Sequence, residues 1–232
     1  MSLLRLDDVH TFIAQFHILH GVSVDVPRGS IVALLGRNGA GKTTTLKTIL
    51  GLTPAKSGSV TFDENEVTHR RSFDIAAMGI GYVPEHRAVF SDLSVEENLR
   101  IAERRKGDLE RKEDLIFGLF PDLKRLIGLP GTSLSGGQQQ MLAVARALVP
   151  DNRLLLIDEP SEGLAPVLIE QMIEAIEQLS ETTTVLLVEQ NFIVASRLAQ
   201  SYVIIEEGRS VQAGAMADLV GDDETIKRYL GV

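Results

Sequence analysis

Cysteine and tryptophan are absent from the 232 residues, and aromatic side chains make up only 5%. Without cysteine there is no disulfide scaffold, no thiol catalysis and no Cys-ligated zinc or iron–sulfur site. Positive charge is also short: 23 Lys plus Arg stand against 32 Asp plus Glu, a net charge of −9. A free-standing nucleic-acid binder carries a basic excess, so no nucleic-acid partner is expected. No apolar run approaches the roughly 18 residues that span a bilayer. The opening Met1-Ser2-Leu3-Leu4-Arg5-Leu6-Asp7-Asp8 places acidic residues where a signal peptide needs a continuous apolar core. The expectation is a cytoplasmic protein that reaches a membrane only through a partner. What is present, 44% hydrophobic and 24% charged residues, suits one large globular domain or two small ones with a core of their own.

Internal repeats, low-complexity tracts and clear linkers are lacking. Residues 3–9 and 22–27 alternate apolar and polar like half-buried strands. Ile31-Val32-Ala33-Leu34-Leu35 reads as a strand buried on both faces, and Lys42–Gly51 has helical character. Residues 81–94 look like strand then loop. Ser94 with Glu97 forms a capping box and opens a helical stretch over about 95–150. The mixed runs Glu103-Arg104-Arg105-Lys106 and Glu110-Arg111-Lys112-Glu113-Asp114 within it read as a solvated helix face. From 154 the chain alternates strand (154–157), helix (166–179), strand (184–188), helix (192–199) and strand (202–206). That order predicts an α/β fold with a mainly parallel sheet, the stretch 95–150 being a helical subdomain on a core of 1–94 and 151–232.

Gly36-Arg37-Asn38-Gly39-Ala40-Gly41-Lys42-Thr43 fits G-x-x-x-x-G-K-[ST] between a buried strand and a helix. Glycines let backbone N–H groups turn toward phosphate oxygens, and the helix start adds the positive end of its dipole. These residues, with Thr44, are candidate nucleotide-phosphate contacts. Lys42 is expected on the β- and γ-phosphates and the Thr43 hydroxyl on Mg²⁺. Further on, Leu154-Leu155-Leu156-Ile157-Asp158-Glu159-Pro160 delivers two carboxylates at the C-terminal end of a buried strand. Asp158 would hold Mg²⁺ from the second coordination sphere, and Glu159 would orient and deprotonate an attacking water. No N-K-x-D guanine reader occurs. Leu134-Ser135-Gly136-Gly137-Gln138-Gln139-Gln140 opens a second helix whose N-terminus can receive phosphate, which suggests a nucleotide shared between two subunits.

With L-S-G-G-Q in order between the phosphate loop and the acidic strand, the chain resembles the ATP-binding subunits of ABC transporters over essentially its whole length. The resemblance implies a P-loop core with an N-terminal antiparallel β subdomain and an inserted helical subdomain, together forming one ABC ATPase domain over 1–232. It implies a head-to-tail dimer sandwiching two ATP molecules. Lys42 of one subunit would face Ser135 and Gly137 of the other across each γ-phosphate, with Gly136 and Gln138 as further nucleotide contacts. Hydrolysis would open the sandwich and drive transmembrane permease subunits, with the chain peripheral on the inner face of the cell membrane.

Three positions depart from the common family pattern. Glu85, in Tyr82-Val83-Pro84-Glu85-His86-Arg87, stands where most members carry the Gln that senses Mg²⁺ and the γ-phosphate. Gln190, in Leu187-Val188-Glu189-Gln190-Asn191, stands where most carry a switch His; it can donate an amide N–H to the γ-phosphate but cannot titrate near neutrality. Ala165 replaces the Asp that usually ends the loop after the acidic strand. These features, with the terminal Tyr229-Leu230-Gly231-Val232, look like the uptake ATPases for branched-chain and other hydrophobic amino acids. Importers of urea or short amides share much of the pattern. Soluble ABC ATPases of translation or DNA repair carry two cassettes or long coiled coils, and this chain has neither. The resemblance implies an extracytoplasmic substrate-binding protein in the complete system, and leaves homodimer and heterodimer open.

The resemblance implies an aromatic residue stacked on adenine; its usual position falls on Ile13, so Phe12 is favoured and Phe16 is the other choice, with a core role as the competing reading of either. His17 and His20, with no third ligand expected nearby, read as packed or solvated. Phe90 and Leu93 are expected as exposed anchors for a helix of the membrane subunit.

Overall fold

The computed structural model describes residues 1–231. Among the described residues ten strands form two sheets. β1 (Ser2–Ile13) and β2 (Phe16–Pro27) make an antiparallel hairpin, and β3 (Ile31–Leu35) runs into helix α1 (Lys42–Ile49). β4 (Ala55–Phe62), β5 (Asn65–Glu66), α2 (Ser72–Ala77) and β6 (Ile80–Val83) follow. The helices α3 (Val95–Arg100), α4 (Asp108–Leu119), α5 (Pro121–Arg125) and α6 (Gly136–Leu148) come next without an intervening strand. The chain closes with β7 (Leu154–Asp158), α7 (Pro166–Ser180), β8 (Thr184–Glu189), α8 (Phe192–Leu198), β9 (Ser201–Glu206), β10 (Arg209–Ala215), α9 (Met216–Val220) and α10 (Asp223–Leu230).

The antiparallel sheet has the order β2-β1-β4-β5, and the larger one β10-β9-β3-β8-β7-β6. In the latter every pairing is parallel except β9 with β10. All residues of β3, β7 and β8 are buried, as the continuous apolar runs require. Their side chains alternate between two cores. Ile31, Ala33, Leu35, Leu155, Ile157 and Leu187 pack with the helices, whereas Val32, Leu34, Leu154, Leu156 and Val188 pack with the antiparallel sheet and α1. At about 1.5–3 kcal/mol per buried aliphatic side chain, this double-faced burial fixes the strands and hence the loops at their C-terminal ends. The helical stretch between β6 and β7 shares the first core through Val95, Leu99, Ile116, Phe120, Leu142 and Val144.

The strands predicted over 3–9 and 22–27 extend to Ile13 and back to Phe16, because pairing across the hairpin continues past the alternating segments. The capping box forms: Ser94 Oγ accepts from the Glu97 N–H and a Glu97 carboxylate oxygen accepts from the Ser94 N–H. Leu93 departs from expectation. It is half-buried, because fully buried Asn98 fastens the preceding loop by donating to the carbonyls of Phe90, Leu93 and Ser94 and accepting from the Phe90 N–H. Phe90 remains 47% exposed.

Candidate nucleotide site

The loop between β3 and α1 begins at Gly36, where φ is 151° and a Cβ would lie 2.2 Å from the Ile205 carbonyl oxygen of β9. Only glycine leaves the sheet here. Gly41, at φ 111°, is the N-cap of α1, and no side chain caps that helix. The first-turn N–H groups are left to a ligand, at the positive end of the helix dipole. Lys42 is buried; its Nζ donates to the Gly36 carbonyl (2.7 Å) and the Arg37 carbonyl (3.2 Å), and lies 3.0 Å from Glu159 Oε1. Those contacts engage all three ammonium protons and hold the loop around its own cation. Asn38, Gly39, Gly41, Lys42, Thr43 and Thr44 line a cavity of about 250 Å³, closed by Ile18, Glu85, Glu159 and Glu162. Arg37 and Ala40 serve the frame instead: Arg37 Nη2 donates to the Arg228 carbonyl at the end of α10, and the Ala40 carbonyl accepts from the Gly208 N–H.

Asp158 ends β7 fully buried, with Thr43 Oγ1 donating to Oδ1 (3.3 Å) and Tyr82 Oη to Oδ2 (3.3 Å). Burial above all pushes its carboxyl up to about 6; the charges of Glu159 and Glu85 add to this, and the two hydrogen bonds oppose it. Burial, then the Asp158 charge, also raises the Tyr82 hydroxyl far above its ordinary value. A buried carboxylate beside a hydroxyl is a hard-oxygen pair that a cation would stabilise. Among the described residues no group of three or more His, Asp or Glu could hold a metal alone. Mg²⁺ is bound by one or two carboxylates and completes its shell with other oxygens, from phosphates and water. Thr43, Asp158 and Glu85 therefore fit the ion.

Glu159 turns at φ 46°, a left-handed backbone that costs a non-glycine residue about 1 kcal/mol or more. Its N–H donates to the Val188 carbonyl of β8 (2.9 Å), and the turn returns its carboxylate to Lys42. Glu159 also lines a second cavity, of about 400 Å³, with Ser161, Glu189, Gln190 and Asn191. One chain thus brings the phosphate loop, Glu85, Glu159 and Gln190 around two adjoining spaces.

The signature residues stand apart from both. Ser135 caps α6 by accepting from the Gln138 N–H, and Gln138 Oε1 accepts from the Ser135 N–H. This box leaves the N–H groups of Gly136 and Gly137 without a side-chain cap, and none of Ser135, Gly136, Gly137 or Gln138 lines either cavity.

Phe12 is 39% exposed and stacks flat on His17, with centroids 4.2 Å apart and planes 7° from parallel. Neither Phe12 nor Phe16 lines the phosphate cavity. His17 and His20 are packed, with a third ring beside them. His10 Nδ1 sits 3.1 Å from His17 Nε2, so hairpin pairing does bring a third imidazole beside His17 and His20. The three rings pack on one another, and partial desolvation, then His20 and His10, lowers the pKa of His17. Sequence reasoning missed two residues here. Tyr82 reads as one more apolar strand position, and Glu189 as the polar end of β8.

Residues 19–162 match the model of the family described as ABC transporter. The high-affinity branched-chain amino acid transport ATP-binding protein BraG of Pseudomonas aeruginosa is 44% identical over 232 residues, 99% of this chain and 100% of that protein. The probable branched-chain amino acid transport ATP-binding protein LivF of Archaeoglobus fulgidus is 34% identical, covering 99% of both chains. The lipopolysaccharide export system ATP-binding protein LptB of Escherichia coli is 32% identical over 92% of this chain and 91% of its own. In fold, a nucleotide-free ATP-binding cassette from an ABC transporter superposes with a TM-score of 0.88 at 23% identity, covering 100% of this chain and 99% of that one. A cassette solved in its ADP conformation gives 0.84 at 22% identity over 100% of both. Phosphate loop, acidic strand, signature helix and these likenesses agree: the chain belongs to the ABC transporter family, as one of its ATP-hydrolysing subunits.

Proposed function

We propose that the chain powers the uptake of branched-chain or other hydrophobic amino acids as the cytoplasmic ATPase of an importer, docked on the inner face of the cell membrane. The observation that carries this reading is the full-length 44% identity to BraG. Glu85 and Gln190 at the nucleotide site support it.

ATP enters the cavity of the phosphate loop, and its phosphates take the α1 N–H groups and the Lys42 ammonium. Thr43, Asp158 and Glu85 would hold Mg²⁺, which would supply charge neutralisation to the triphosphate. Glu159 takes a proton from a water whose oxygen bonds to the γ-phosphorus as the bond to the β–γ bridging oxygen breaks. The Gln190 amide donates to the γ-phosphate from the adjoining cavity. Ser135 and Gly137 contribute across a head-to-tail dimer with a second ABC ATPase subunit, which is why they lie outside the cavity of their own chain. Phe12, stacked on His17, offers the adenine platform. Phe90 anchors a short helix of the permease. The transport path belongs to transmembrane permease subunits, fed by an extracytoplasmic substrate-binding protein; among the described residues of this chain no helix is long and apolar enough to cross a membrane.

The test is a pull-down of the tagged chain from native membranes. Two permease subunits and a binding protein that takes up leucine or valine are the expected result. Ribosomal or DNA-repair partners without membrane proteins would overturn the transport reading, and a urea-specific binding protein would overturn the substrate class.

A further inference from the structure

Glu189 is the last residue of β8 and is 1% exposed. Its two carboxylate oxygens go to different loops: Oε1 accepts from the Ser161 N–H and Oε2 from the Asn191 N–H, both at 3.2 Å. One residue earlier, the Val188 carbonyl accepts from the Glu159 N–H at 2.9 Å. The end of β8 therefore grips the loop after β7 on both sides of Pro160 and fixes the left-handed turn at Glu159. On its other side the grip passes to Asn191, whose Oδ1 caps α8 by accepting from the Ile193 and Val194 N–H groups (3.1 and 3.4 Å). Gln190 is held between these two anchors.

An apolar side chain would fill this strand end without the cost of burying a carboxylate. The acid supplies what an apolar residue lacks, two acceptors close together that tie two separate backbones at once. We propose that Glu189 is a positioning residue for ATP hydrolysis, its carboxylate locking the Glu159 loop and the Gln190 loop into one unit. The proposal rests on the reading of Glu159 as base and Gln190 as γ-phosphate contact. Misplacing a reacting group by about 1 Å costs on the order of 10²-fold, so loosening this tie acts on turnover and leaves the α1 phosphate cradle alone.

The test uses the full chain carrying Glu189→Gln, which keeps one acceptor but turns an NH₂ toward the other N–H. Glu189→Met, of similar volume and with no acceptor, carries the test where the amide variant fails to fold. Glu159→Gln is the control. The measurements are kcat and KM for MgATP hydrolysis, and the Kd for MgATP by calorimetry. The expected result is a fall in kcat of about tenfold to hundredfold in either Glu189 variant, with KM and Kd within about threefold of wild type. Unchanged kcat in a folded Glu189 variant, with Glu159→Gln inactive, overturns the proposal, as does a loss confined to KM and Kd. Normal turnover in Glu159→Gln overturns the underlying reading of the base instead.

Discussion

Lys42 Nζ and Glu159 Oε1 lie 3.0 Å apart, at 4% and 11% side-chain exposure, so the cation of the phosphate loop and the acid after β7 form a buried ion pair. An incoming γ-phosphate competes with Glu159 for that ammonium. If Glu159 is the base proposed above, its carboxylate opposes ATP binding electrostatically while serving the reaction that follows.

Glu159→Gln separates these two effects. Turnover falls by about 10² to 10⁴, the usual worth of a positioned base. ATP affinity stays the same or tightens, because the anion that faces the phosphate is gone. Steady-state hydrolysis and equilibrium binding of MgATP check both halves. Near-normal kcat would remove Glu159 from the role of base.

Tyr82→Phe addresses the Mg²⁺ side. The phenol donates to Asp158 Oδ2 while Thr43 donates to Oδ1, so the carboxylate is held from both ends. Losing one such bond is worth about 1 kcal/mol, roughly a fivefold rise in the Mg²⁺ needed for half-maximal hydrolysis. A magnesium titration at saturating ATP measures it; an unshifted midpoint would make Tyr82 a packing residue only.

How much of this was legible in the sequence depended on burial. Ile31–Leu35 and Leu154–Asp158 were readable because strands covered on both faces must be apolar throughout, and the phosphate loop follows the first of them directly. β4, with Lys56-Ser57-Gly58-Ser59 in its middle, and the half-exposed β10 were not. Their identity comes from pairing with β1 and β9, which no local pattern encodes. The same holds at the site. Lys42 with Glu159, Tyr82 with Asp158, and Glu189 with Ser161 meet only because β3, β8, β7 and β6 are neighbours in that order. Residue types could be read from the motifs, whereas their partners had to be read from the strand order.

Gln190→His and Gln190→Ala test the hydrogen-bond role at the end of β8. Both Gln and His present an N–H donor to the adjoining cavity, and Ala presents none. The His variant is expected to keep turnover within about tenfold of wild type while the Ala variant falls further, by the 10² or so that a charge-assisted donor to the transition state is worth. Equal loss in both would show that this side chain does not donate to phosphate.

The nucleotide-free chain should become more stable as pH falls from 8 to 5.5 on account of Glu189, opposite to ordinary acid destabilisation. Burial pushes this carboxyl up to about 7 from a usual 4.5, with the neighbouring Glu159 charge adding and the hydrogen bonds from Ser161 and Asn191 opposing. Between those two values the folded chain binds a proton that the unfolded chain does not, so protonation favours folding. From pH 7.5 to 5.5 the gain is about 2 kcal/mol, roughly 4–8 °C in Tm for a chain of this size. Asp158 contributes with the same sign around its own value of about 6. His17, whose pKa is lowered, works in the opposite direction as pH passes below its usual value. Asp63 and Asp108, held low by Arg153 with Arg28 and by the Arg105 N–H respectively, lose their contributions only below this window. The difference in Tm between wild type and Glu189→Gln cancels these other groups. Measured by thermal unfolding in EDTA, that difference should move in favour of wild type as pH falls. A difference that is flat with pH would mean that Glu189 is not a buried, titrating carboxylate.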